Sequence, residues 1–147
     1  MTPTASYTVT ATNSGGATTA SVNIAVISAY TAWSSQYNLL QGPQGDDDGD
    51  GNSNYFEFIA GLDPTNASSV FTVKIAPVAG QPNQMAISFK PIVSGRTYAV
   101  KSSASLASGT WTALSGSTSS DVGNERTVID TGATGAKKFY IVEIGYP

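Results

Sequence analysis

The chain contains neither cysteine nor histidine. Without cysteine there is no disulfide scaffold, no thiolate nucleophile and no Cys-ligated zinc or iron–sulfur cluster. Without histidine the usual general base, the commonest metal ligand and both the Ser-His and Cys-His nucleophile pairs are missing. Any resident metal must be held by oxygen, which selects a hard cation such as calcium or magnesium. Charge is scarce as well, at 12% of residues, about half the usual share. The seven basic residues stand singly apart from Lys137-Lys138 and make no phosphate-binding stripe, which argues against a nucleic-acid partner. No apolar run reaches the ~18 residues of a membrane-spanning helix. The first residues carry neither the basic start nor the apolar core of a signal peptide.

What is present is 147 residues rich in Ser and Thr (36 together) and Gly (15). That is enough for one domain with its own core, or for a small domain with an appendage. The acidic charge is uneven. Residues 46–57 hold Asp46, Asp47, Asp48, Asp50 and Glu57 and no base, whereas the other 135 residues balance to +2. The net charge of −3 thus originates in one twelve-residue stretch, which is a local site rather than an acidic tail.

Most of the chain reads as β. Residues 7–12 and 22–27 alternate with period two around Asn13-Ser14-Gly15-Gly16, the pattern of a β-hairpin. Such a hairpin is marginal alone, so it must pack on something. Tyr30, Trp33, Tyr37 and Leu40 recur at three- and four-residue steps and predict a short amphipathic helix over 29–40. A second short helix is expected over 55–60, stopped by Gly61 with Pro64 soon after. Beyond residue 70 the strands are placed at 70–77, 84–91, 96–103, 110–115, 125–130 and 138–145, the last centrally because it is apolar on both faces. Six short strands at even spacing suggest an antiparallel β-sandwich. The expected parts are a hairpin (1–28), a helix–loop–helix (29–66) and a mainly β domain (67–147).

The acidic stretch fits D-x-D-x-D-G-x5-E at every specified position. Side-chain oxygens of Asp46, Asp48 and Asp50, at alternate positions, surround a hard cation, and Gly51 makes the sharp turn. The backbone carbonyl of Asn52 adds an oxygen, Asn54 contributes directly or through water, and Glu57 closes the shell. Five carboxylates in one loop repel unless neutralised, and no Lys or Arg lies near in sequence. Magnesium prefers a tighter, more hydrated octahedron, so calcium is the expected cofactor. Position 8, Ser53, lacks the apolar residue by which sensor loops pair, and only one loop is present. This points to a structural site rather than a sensor.

With Gly61-Leu62-Asp63-Pro64 behind it, this loop resembles the calcium loops of EF-hands, dockerins and thrombospondin type-three repeats. It resembles still more a module near the C-terminus of large secreted bacterial proteins, in which helix, Asp-rich loop and helix precede a β-sandwich. Residues 98–111, with Tyr98-Ala99-Val100, Ser102-Ser103, Leu106 and Trp111, are similar to that module's strand pattern. Separately, Tyr7-Thr8-Val9-Thr10-Ala11-Thr12-Asn13 resembles the last hairpin of an immunoglobulin-like domain. These resemblances imply an immunoglobulin-like sandwich and a non-catalytic, extracellular or cell-surface calcium-binding role within a larger bacterial protein. The hairpin is left three partners: the downstream sandwich, another chain through strand addition (a dimer), or none.

Two other functions compete. Calcium-bearing sandwiches with surface aromatics bind polysaccharide, which nominates Trp111, Tyr98, Tyr140 and Tyr146, with plain core packing as the alternative for Trp111 and Tyr98. Catalysis would need a carboxylate pair. Outside the loop, however, Asp63 and Asp130 read as turn residues, Asp121 and Glu125 as loop charges, and Glu143 as a partner for a basic residue on a neighbouring strand. The protein is therefore expected not to be an enzyme. Arg96 and Arg126 read as charges on strand edges.

Overall fold

The computed structural model describes residues 4–25, 27–107, 109–134 and 137–146. Residues 1–3 and Val26 of the expected hairpin (1–28), and Ser108 within the span 98–111, lie outside them. The chain divides into two compact units, Met1–Leu40 and Gln41–Pro147. The acidic loop and the helix after it therefore belong with the β domain, and no unit boundary falls at 66/67.

In the first unit, β1 (Thr4–Asn13) and β2 (Gly16–Ala25) form an antiparallel hairpin in the register Asn13↔Gly16 to Thr4↔Ala25. Its two-residue loop is closed by Asn13 Oδ1, which accepts the Gly15 N–H at 2.8 Å. Residues 10–21 are exposed on both faces. Helix α1 (Ala29–Gln36) is capped by Ser28, whose Oγ accepts the Thr31 N–H at 3.0 Å. Its aromatic seam is real, with Trp33 5.8 Å from Tyr30 and 5.3 Å from Tyr37 between ring centroids. The helix ends four residues earlier than its periodicity predicts because Asn38 takes a left-handed conformation (φ 54°). Leu40 is consequently outside it and exposed.

The second unit contains α2 (Asn54–Ala60), β3 (Thr72–Val78), β4 (Gln81–Lys90), β5 (Thr97–Ser103), β6 (Thr112–Ala113), β7 (Thr118–Val122), β8 (Glu125–Asp130) and β9 (Phe139–Gly145). The strands form two antiparallel sheets, β3-β4-β8-β7 and β6-β5-β9. Alternation chooses the inward residues: Ile87 and Phe89 on β4, Val128 on β8 and Val100 on β5 are buried in one cluster. Phe71, Met85, Tyr98, Leu114, Tyr140 and Val142 pack against it. The core thus draws on both sheets.

Three expectations about strands change. β9 is an edge strand, because β5 takes the centre of its sheet; its apolar residues are half-buried. β7 went unpredicted because its sequence, Thr118-Ser119-Ser120-Asp121-Val122, is exposed throughout and carries no alternating apolar signal. Asp121 and Glu125 are accordingly strand residues facing each other's neighbours across the β7–β8 hairpin, not loop charges. The Arg126 guanidinium grips Asp121 with both ends, at 2.7 and 2.8 Å. It therefore lies on an inner strand with a partner, not on a bare edge. The contact holds the Asp121 carboxyl below the usual carboxylate range. Lys101, on β5, pairs with Glu143 on β9 at 2.7 Å, the cross-strand ion pair expected for Glu143.

Asp130 ends β8 just before the turn, as read, but it is buried. It accepts from the Gly132 N–H at 2.9 Å and the Tyr140 hydroxyl at 2.8 Å, and it pairs with Lys138 at 2.5 Å. Burial opposes its charge, yet these partners outweigh it and hold the pKa below the ordinary value. Burial and this hydrogen bond push the Tyr140 hydroxyl upward.

Candidate metal centre

The loop is closed at its base by backbone hydrogen bonds. The Asn54 N–H donates to the Gly45 carbonyl at 2.7 Å, and the Tyr55 N–H to that of Pro43 at 2.9 Å. Asn54 itself is buried at the start of α2. Its amide nitrogen donates to the carbonyls of Gln41 and Gly42 (3.4 and 3.2 Å), and its oxygen accepts the Asp47 N–H at 3.1 Å. The expected metal contribution of this side chain gives way to a bracing one, since a buried amide must satisfy its own donors and acceptor. The odd-numbered member of the Asp run also turns aside: Asp47 Oδ1 accepts the Gln41 N–H at 3.0 Å.

Asp46, Asp48 and Asp50 converge. Each offers a carboxylate oxygen, and the three atoms lie within 4.8 Å of one another. Asp46 is aimed by the loop's own backbone, accepting from the Gly51 N–H at 2.8 Å and the Gly49 N–H at 2.7 Å. These bonds, Gly51's above all, hold it below the usual carboxylate range. Gly51 supplies the predicted turn at φ 95°, where a Cβ would be strained. Asn52 donates from its backbone (2.7 Å) and side chain (2.9 Å) to the two oxygens of Asp50, fixing that carboxylate. Burial, then the fields of Asp50 and Asp46, pushes Asp48 upward, and its Oδ2 is buried without a hydrogen-bond partner.

Glu57 is the decisive residue. It lies on α2, whose N-terminus is capped by Ser53 Oγ accepting the Phe56 N–H at 3.2 Å. The position that lacks a sensor loop's apolar residue thus starts the helix that delivers Glu57. Glu57 is 0% exposed, and neither carboxylate oxygen has a hydrogen-bond partner. Burial first, then the charges of Asp48, Asp50 and Asp46, pushes its pKa up to about 7. Glu57 is not one of the residues whose oxygens converge within 4.8 Å, but a buried carboxylate with no donor, in the field of three others, is strongly unfavourable by itself. No cationic side chain is found in the cluster among the described residues. The donor set is all oxygen, which suits a hard divalent cation and supplies what the orphaned atoms lack.

Helix α2 is held at its far end by a residue that sequence reasoning misjudged. Arg96 Nε donates to the Ile59 carbonyl at 2.7 Å and Nη2 to the Phe58 carbonyl at 3.0 Å. Its guanidinium stacks 4.0 Å from the Tyr146 ring centroid, and Tyr146 meets Phe58 edge-on at 4.9 Å. Phe58, Ala60 and Leu62 are the buried apolar residues here, with Phe56 and Ile59 only half-buried. Gly61 ends the helix as predicted, at φ 72°, and a Cβ there would also meet Val93 Cγ2 at 2.7 Å.

The aromatics nominated for sugar are dispersed. Tyr98 packs on Phe89 at 5.5 Å, Tyr140 lies against the core, Tyr146 is engaged by Arg96 and Phe58, and Trp111 is half-buried. The chain matches no family model, no curated protein and no solved structure.

Proposed function

We propose that this protein is a non-catalytic calcium-binding module whose cation stabilises the fold. The observation that carries the reading is Glu57: wholly buried, both oxygens without a partner, and in the field of three aspartates whose carboxylate oxygens converge. Asp46, Asp48, Asp50 and Glu57 would hold the ion with the Asn52 carbonyl, while Asn52's side chain and Asn54 orient the loop. The bound ion supplies the positive charge that the cluster lacks. We read the two sheets and their shared core as a β-sandwich, immunoglobulin-like in its antiparallel pairing, against which α2 and the acidic loop are held. The setting we propose is extracellular or cell-surface, in a secreted bacterial protein of which this is one part. Calcium is about millimolar there, and a site with Kd near 10 μM would be ~99% filled, adding roughly 2.7 kcal/mol of stability.

The test is thermal unfolding with and without chelator. EDTA should lower Tm by about 10 °C, and calcium but not magnesium at equal concentration should restore it. Asp50→Ala should melt as the chelated protein does, with or without calcium. A Tm that ignores both EDTA and calcium overturns the proposal.

A further inference from the structure

We propose that Arg96, which touches none of the metal-binding residues by hydrogen bond, sets the calcium affinity of the loop from the far end of α2; this rests on the calcium reading above.

The argument begins with the length of α2. Seven residues are too few for a helix to hold itself. Its start is secured by the Ser53 cap and the Asn54 brace. Its end leaves carbonyls without intrahelical partners. Two of them, Phe58 and Ile59, are the carbonyls that Arg96 takes, and a cation at a helix C-terminus is additionally favoured by the helix dipole. The residue immediately before Phe58 is Glu57. The arginine and the metal side therefore act on consecutive residues of one short helix, from opposite ends.

The geometry makes Arg96 specific for this task. A planar guanidinium reaches two neighbouring carbonyls at once, while its face lies on Tyr146, just beyond β9, and its backbone leads directly into β5. The rigid side of the contact is thus the β domain, and the adjustable side is α2. With Arg96 in place, Glu57 is presented to the aspartates before the ion arrives, so binding costs less ordering. Without it, the last turn frays and part of the binding energy goes into reforming the helix. Linkage requires the converse as well: calcium must strengthen the Arg96 contact by the same factor.

The experiment measures calcium affinity by titration calorimetry for the wild type, Arg96→Met and Arg96→Lys, together with the exchange rate of the Arg96 Nε–Hε proton by NMR in the wild type. We expect Kd to weaken about 5-fold or more in Arg96→Met, with Arg96→Lys, which keeps the charge but not the fork, in between. Calcium should also slow the Nε–Hε exchange of the wild type. If the wild type binds calcium while both variants bind equally well, or if its Nε–Hε exchange ignores calcium, Arg96 is merely a fold-stabilising contact and the proposal fails. The NMR reading decides the matter even if Arg96→Met does not fold. If the wild type itself takes up no calcium, the underlying calcium reading has failed instead.

Discussion

Replacing Glu57 by glutamine should stabilise the protein without calcium and bring no advantage with it. In the metal-free protein at pH 8, above the value of about 7, Glu57 is an ionised carboxylate with no exposure and no hydrogen bond. An uncompensated buried charge costs roughly 3–5 kcal/mol. The neutral amide still leaves polar atoms unsatisfied, at about 1–3 kcal/mol. The difference favours Glu57→Gln by about 2 kcal/mol, which raises Tm by about 8 °C in EDTA. With calcium this advantage disappears. Loss of the charged ligand weakens Kd by about 100-fold if it removes about 2.7 kcal/mol of binding. One millimolar calcium then adds only about 0.4 kcal/mol, and the ~10 °C rise expected of the wild type shrinks to about 2 °C. Differential scanning calorimetry in EDTA and in calcium reads all four states. A variant that melts lower than the wild type in EDTA would refute the reasoning, because Glu57 would then be a satisfied structural carboxylate and not a vacant ligand.

Two further outcomes follow from the same structure. Gly61→Ala places a side chain at φ 72° and drives its Cβ against Val93, so it should cost about 1–3 kcal/mol in chemical denaturation, whereas an alanine at Tyr55, exposed near the start of the same helix, should cost less. Asp130, held below the ordinary carboxylate value of 3.8, stabilises the fold above that pH, and this contribution is lost as pH falls through its lower folded value. Asp130→Asn should therefore be less stable at pH 7 and should show a flatter loss of stability below pH 4 than the wild type; an unchanged acid slope would contradict the assignment.

The legibility of this chain differs from place to place. The β strands with an inward alternation, such as Ile87-Ser88-Phe89 and Tyr98-Ala99-Val100, were readable because burial on one face imposes period two. β7 was not, because an exposed strand of Ser, Thr and Asp has nothing to alternate. The apolar run of β9 suggests a central strand, but a run reports only that both faces avoid water, not which neighbour supplies the hydrogen bonds. The resemblance to a secreted bacterial module goes no further than motif and pattern.

For the candidate site, the sequence by itself determined what the loop could offer a metal and in what order along the chain. The absence of His and Cys leaves oxygen alone, and the spacing of Asp46, Asp48, Asp50, Gly51 and Glu57 is local enough for backbone geometry to impose the loop. The Ser53 cap and the Gly61 stop are equally local, since each acts within a turn of its own helix. Tertiary structure decided the rest. It turned Asn54 from candidate ligand into brace and stripped Glu57 of every hydrogen-bond partner. It also brought Arg96, 37 residues from Ile59, onto the end of α2. Burial and the pairing of distant groups are properties of the packed chain, and no spacing in the sequence encodes which carboxylate will be left without a partner.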